Sequence, residues 1–171
     1  GIIGGLTAYH GVNNKIIGYL ITSHSCVRYI SADPPYTTRT VLGNCTQSGS
    51  VRGTGSAARL TQPISITTGK NASGWTYALA DLANDEVLGL VGNSTIMTSF
   101  CLVCNPPGFI VPYSLIYVKN LLFNNTYLKN LDDGWTDVLL TTWGYSHLLY
   151  YYNGSFVNIG RIPIGTGGNI L

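Results

Sequence analysis

Apolar positions along this chain tend to alternate with polar ones, and helical spacing is rare. KIIGYLITSHSCVRYI predicts one long strand, or two strands with a bulge at Gly18. TTRTVLG follows the turn signal Asp33-Pro34-Pro35-Tyr36. ARLTQPISITTG has strand character, with Pro63 suggesting an edge or a bulge. EVLGLVG, STIMTSFCLVC and FIVPYSLIYV continue the series. WTDVLLTTWG and SHLLYYYNGSFVNIGRIPI close it, with Asn153-Gly154 between strand-like runs as a hairpin cue. Turns this frequent predict an all-β fold, a β-sandwich of roughly 8–11 strands.

Two stretches are less regular. TYALADLANDEVLGLVG places Ala78, Leu79, Leu82 and Ala83 at helical spacing, but Asp85 and Glu86 fall where a helix dipole disfavours acids. It predicts one short helix or none. SLIYVKNLLFNNTYLKNL favours strands, from its β-branched and aromatic content and the Asn124-Asn125 break.

The first residues, GIIGGLTAY, are strand material with no charge before Lys15. As a strand they put Ile2, Gly4, Leu6 and Ala8 on one face, and Ile3, Gly5, Thr7 and Tyr9 on the other. The glycines let another backbone approach closely. Such a segment either opens its own sheet or completes a neighbour's by β-strand addition. No Met precedes it, so a removed leader is expected. No strong internal repeat or linker is evident. The expected division is an extended donor strand over 1–13 and one β-sandwich domain over 14–171.

Composition narrows the function classes. Hydrophobic residues make up 45% and charged residues 9%, against about 25% charged in ordinary soluble domains. Asn, Ser, Thr, Gly and Tyr interrupt every apolar run short of the ~20 residues a membrane helix needs, so no membrane span is expected. The 9 Lys and Arg are scattered, with no two adjacent, which argues against nucleic acid. With only 7 carboxylates, such a surface loses little electrostatic stability in acid.

Five sequons match N-x-[ST], at Asn44, Asn71, Asn93, Asn124 and Asn153. Chance pairing of 14 Asn with 31 Ser and Thr in 171 residues gives about 2.5. The excess points to N-glycosylation of a secreted protein, with glycans replacing the solvation that charges do not provide.

Cys26 and Cys45 lie almost symmetrically about the Asp33–Tyr36 turn, so a hairpin-like return pairs them and leaves Cys101 with Cys104. A redox CxxC opens a helix, but Asn105-Pro106-Pro107-Gly108 follows Cys104. Zinc would need further ligands, and the His at 10, 24 and 147 are widely spaced. The expectation is a structural disulfide, with no metal and no cofactor.

Catalytic signals are weak. Gly53, Gly55 and Ala58 match a dinucleotide loop poorly, because Gln62-Pro63 and a strand follow. Asp132, Asp133 and Asp137 lack calcium-loop spacing and read better as a turn. Nothing selects a glycosidase pair among these and Asp81, Asp85 and Glu86. Trp75, Trp135, Trp143 and Tyr150-Tyr151-Tyr152 could stack on sugars, or could serve as packing.

The Gly-rich apolar N-terminus GIIGGLTAY, the strand-rich body, the five sequons and the charge-poor, Tyr/Asn/Thr-rich composition carry a family resemblance. The chain resembles secreted archaeal filament subunits of the thread and bundling-pilus type, related in architecture to TasA-like biofilm fibre proteins. The resemblance implies no enzyme activity and a glycosylated extracellular filament at the cell surface, serving adhesion or biofilm. Identical subunits would join head to tail by donor-strand complementation, with Ile2, Ile3, Leu6, Ala8 and Val12 in the donor strand. A lectin-like secreted or viral-surface β-sandwich is the alternative.

Overall fold

The computed structural model describes residues 3–71, 74–104, 112–117, 138–142, 147–152 and 155–161. These contain twelve strands and no α-helix. β1 (Ile3–His10), β2 (Ile16–Ser23), β3 (Cys26–Ser31) and β4 (Thr38–Gly43) form a first sheet. β5 (Pro63–Asn71), β6 (Gly74–Asp81), β7 (Glu86–Gly92) and β8 (Met97–Val103) form a second. β9 (Pro112–Tyr117), β10 (Val138–Thr142), β11 (His147–Tyr152) and β12 (Ser155–Arg161) form a third. Each sheet is an antiparallel meander whose strands pair in chain order.

The sheets pack face to face, as a sandwich requires. The first lies against the second and the second against the third, with the closest approach at the opening strands, β1 on β5 and β5 on β9. This serial repetition of one meander leaves no strong repeat in the amino-acid sequence. Gly74-Trp75-Thr76 opens β6, and the same tripeptide at 134–136 precedes β10, the second strand of the third sheet. That pair is the signal that could have revealed it.

Two local expectations resolve differently. KIIGYLITSHSCVRYI is two strands, as the second alternative has it, but they part at the His24-Ser25 turn and Gly18 lies inside β2. TYALADLANDEVLGLVG is β6, a single 3-10 turn at Leu82–Asn84, and β7. Its helical spacing of apolar residues arises because both faces of β6 are buried, so alternation disappears.

The main core lies between the first two sheets. Leu20, Val27, Tyr29 and Leu42 meet Ile66, Tyr77, Leu79, Leu88 and Leu90 there. Tyr9 joins them, stacked on Tyr77 at 5.8 Å and edge-on to Tyr29 at 5.5 Å. The second sheet's other face carries small side chains, including buried Ala78, Ala80 and Val87, and it turns toward the third sheet. The Leu115 N–H donates to Ser65 Oγ at 3.0 Å across that boundary.

Candidate interaction surface

β1 is an edge strand, paired with β2 from Ile3↔Ser23 to His10↔Ile16. Residues 3–10 therefore belong to the body of their own chain, and residue 13 falls within the β1–β2 turn. Donor-strand assembly would require this pairing to be exchanged between copies. The glycines do serve close approach, but to β5. A Cβ on Gly4 would lie 2.7 Å from Ile64 O, and one on Gly5 would lie 2.7 Å from Ile66 N. Thr7 and Tyr9 face the core, whereas Leu6 is 63% exposed and Ala8 half-buried on the outer face. Ile2 lies outside the described residues. Ile3 belongs to β1 and Val12 to the 3-10 turn Val12–Asn14.

Cross-strand register defines that outer face. Leu6, Ile21, Arg28 and Thr40 form one row; Ala8, Tyr19, Ile30 and Thr38 form the next. Apart from Arg28, the polar residues of these rows lie on β4. Tyr19 is exposed, Ile30 is half-buried, and Arg28 Nε is shielded with no hydrogen-bond partner among the described residues.

Two of the sequons fall on described turns. Asn44 follows β4, and its Oδ1 accepts from Thr46 N–H at 3.0 Å and from Thr46 Oγ1 at 2.9 Å. Asn93 sits exposed in the β7–β8 turn, where its Oδ1 accepts from the Thr95 and Ile96 N–H groups at 2.8 and 3.0 Å. These are Asx turns, in which an Asn side chain substitutes for a backbone acceptor. Asn71 ends β5, while Asn124 and Asn153 lie outside the described residues. Disulfides join Cys26 to Cys45 and Cys101 to Cys104. The first ties the start of β3 to the turn that carries the Asn44 sequon.

The acidic candidates are structural where they are described. Asp81, fully buried, accepts from Gln62 N–H at 2.7 Å, Thr61 N–H at 3.0 Å and Asn84 Nδ2 at 2.8 Å. Burial pushes its carboxyl above the usual range, against the lowering effect of those hydrogen bonds. Glu86, its cross-strand partner, is bound instead by Arg52 Nη2 at 2.8 Å and Ser50 Oγ at 3.2 Å. Both carboxylates fasten the 44–62 connection to the β6–β7 turn. Asp85 occupies a left-handed position at the end of that turn. Asp132, Asp133, Asp137, Trp135 and Trp143 lie outside the described residues, and the Gly53–Ala58 loop runs into a 3-10 turn at Gly55–Ala57. Among the described residues, no three His, Cys, Asp or Glu side chains gather as metal ligands, and no helix is long and apolar enough to cross a membrane.

No family model and no curated protein matches the chain. A solved structure with a similar fold is virginiamycin B lyase from Staphylococcus aureus, at 13% identity and a TM-score of 0.55. The match covers 95% of this chain and 42% of that one, so the chain spans less than half its length. At that identity the likeness concerns the fold of the successive sheets alone.

Proposed function

We propose that the chain is a structural subunit of an extracellular glycosylated assembly, joined head to tail to identical copies, and that it is not an enzyme. The observation that carries this reading is β1: an edge strand with one face in the core and the other presenting Leu6 beside Tyr19. A contact between this face and a different surface of the next copy is heterologous, and it builds a filament when the rotation does not close. Asx-turn sequons at half-buried Asn44 and exposed Asn93 support N-linked glycans that keep the charge-poor surface soluble. Two disulfides support an oxidising compartment. Adhesion or biofilm formation is the corresponding role.

The test is negative-stain imaging and sedimentation of the chain secreted from a glycosylating host. Filaments or long oligomers are expected, and intact-mass analysis should show glycan on Asn44 and Asn93. Monodisperse single chains at every accessible concentration would overturn the assembly reading.

A further inference from the structure

Asn44 and Asn93 share the Asx-turn geometry, but the chain around them is held differently. In the Asn44-Cys45-Thr46 sequon the middle residue is itself cross-linked, Cys45 to Cys26. Cys26 is fully buried at the start of β3, and the two Cα atoms lie 4.8 Å apart. The Asn44 carboxamide is engaged at both ends: Oδ1 accepts from Thr46, and Nδ2 donates to Gln47 Oε1 at 3.3 Å. The Gln47 N–H donates to the Asn44 carbonyl at 3.1 Å, and Gln47 Oε1 also accepts from Arg59 Nη2 at 3.1 Å. The Asn93-Ser94-Thr95 sequon has no covalent tie. Arg39 donates to the Ser94 carbonyl at 2.7 Å and to Ser94 Oγ at 3.3 Å, but Arg39 is exposed, so water competes for those bonds. Asn93, Thr95 and Ile96 are exposed as well.

We infer that Asn44 takes its glycan only before the Cys26–Cys45 bond closes, whereas Asn93 takes one in the finished fold as well. The inference rests on the glycoprotein reading above and sets the order of its steps. In N-glycosyl transfer, Asn Nδ2 bonds to the sugar's C1 while the bond from C1 to a lipid-linked diphosphate breaks. The diphosphate leaves with the electron pair, and a base takes one amide proton. The Asn must therefore enter a transferase with its chain neighbours drawn clear of the body. Closing the disulfide oxidises two thiols, their two electrons and two protons passing to a disulfide-donating oxidant of the secretory compartment. Once closed, the bond holds Cys45 to a buried strand end, and no fluctuation of hydrogen bonds frees it. At Asn93, opening the Arg39 contact is enough. The fold also accepts the product at Asn44. Gln47, on which Asn44 Nδ2 rests, is exposed, so a sugar on Nδ2 projects into solvent while Oδ1 keeps its bonds from Thr46.

The test uses the full chain, made without glycans in an oxidising, non-glycosylating host. It is then incubated with an oligosaccharyltransferase and a lipid-diphosphate-linked glycan, and each site's occupancy is followed by peptide mass spectrometry. In the wild type, transfer to Asn44 should be at least tenfold slower than transfer to Asn93. Cys26→Ser leaves the Asn44-Cys45-Thr46 sequon intact and should speed transfer to Asn44 at least tenfold, with Asn93 unchanged within twofold. Cys101→Ser/Cys104→Ser removes the other disulfide and should leave Asn44 slow. Transfer to Asn44 at Asn93's rate in the wild type would overturn the inference, as would Cys26→Ser with no gain at Asn44. An equal gain in Cys101→Ser/Cys104→Ser would overturn it too, because general loosening, rather than the sequon's own disulfide, would then expose Asn44. Those outcomes leave the glycoprotein reading standing. No transfer to either site, even in reduced and unfolded chain, would overturn both.

Discussion

β2 reads IIGYLITS and β7 reads EVLGLVG, and both are inner strands of four-stranded meanders. Their surroundings differ. β7 is buried at five consecutive positions from Glu86 to Leu90, whereas β2 leaves Ile16 and Tyr19 exposed and is buried in sequence only from Leu20 to Thr22. Among the described residues, the second sheet lies between two others and the first packs against one. A strand buried on both faces loses its alternation, and one buried on a single face keeps it. The exposed apolar side chains on the outer face of the first sheet, Leu6 and Tyr19, are therefore what sets it apart from the second.

The contrast is open to direct test. The largest expected effect is in the middle sheet: Leu88→Ala should cost about 2–5 kcal/mol in urea unfolding, because the cavity opens between packed layers. A cost below about 1 kcal/mol would mean that the second sheet is not enclosed as described. Replacing Cys26 and Cys45 with Ser should cost about 3 kcal/mol, since the bond closes a loop with a sequence separation of 19. Losing Cys101–Cys104, with a separation of 3, should cost less. Gly5→Val forces a side chain against the Ser65–Ile66 backbone and should cost about 1–3 kcal/mol, with a similar loss for Gly4→Val. Unchanged melting of both variants would show that β1 does not lie on β5.

Asp81 provides a pH test of the middle sheet's edge. Its carboxyl titrates above the usual range because burial outweighs the hydrogen bonds from Gln62, Thr61 and Asn84. The folded chain thus holds the proton to a higher pH than the unfolded chain does. Through this group, stability rises as pH falls from neutral through the folded value and levels off below the ordinary carboxylate range. Asp81→Asn should flatten that rise in a series of thermal melts, and Asp81→Ala should cost about 1–3 kcal/mol by stranding the donors. The smallest effect belongs to the outer face. Leu6→Ala should change monomer stability by no more than about 0.5 kcal/mol. A large loss there would mean that Leu6 is core rather than surface.

Much of the fold was legible because turns are local. Asp33-Pro34-Pro35-Tyr36 sits between β3 and β4, and the Cys26–Cys45 pairing follows from the return it makes. The strands around Pro63, Glu86 and Met97 begin where β-branched runs meet turn residues. Less legible was the helical spacing in TYALADLANDEVLGLVG, since periodicity cannot distinguish a helix from strands buried on both faces. The roles of Asp81 and Glu86 were also hidden. Their partners Thr61, Arg52 and Ser50 arrive from a separate connection, and only folding brings them to the β6–β7 turn.

The sequence by itself determined an all-β chain, its two disulfides and the places where glycans can attach, because strand propensity, turn chemistry and sequon spacing act over a few residues. Only the tertiary structure decided where residues 3–10 go. A Gly-rich apolar strand suits its own sheet and a neighbour's equally well. The choice depends on a non-local surface: the β5 backbone, which accepts Gly4 and Gly5 at a distance no side chain would permit.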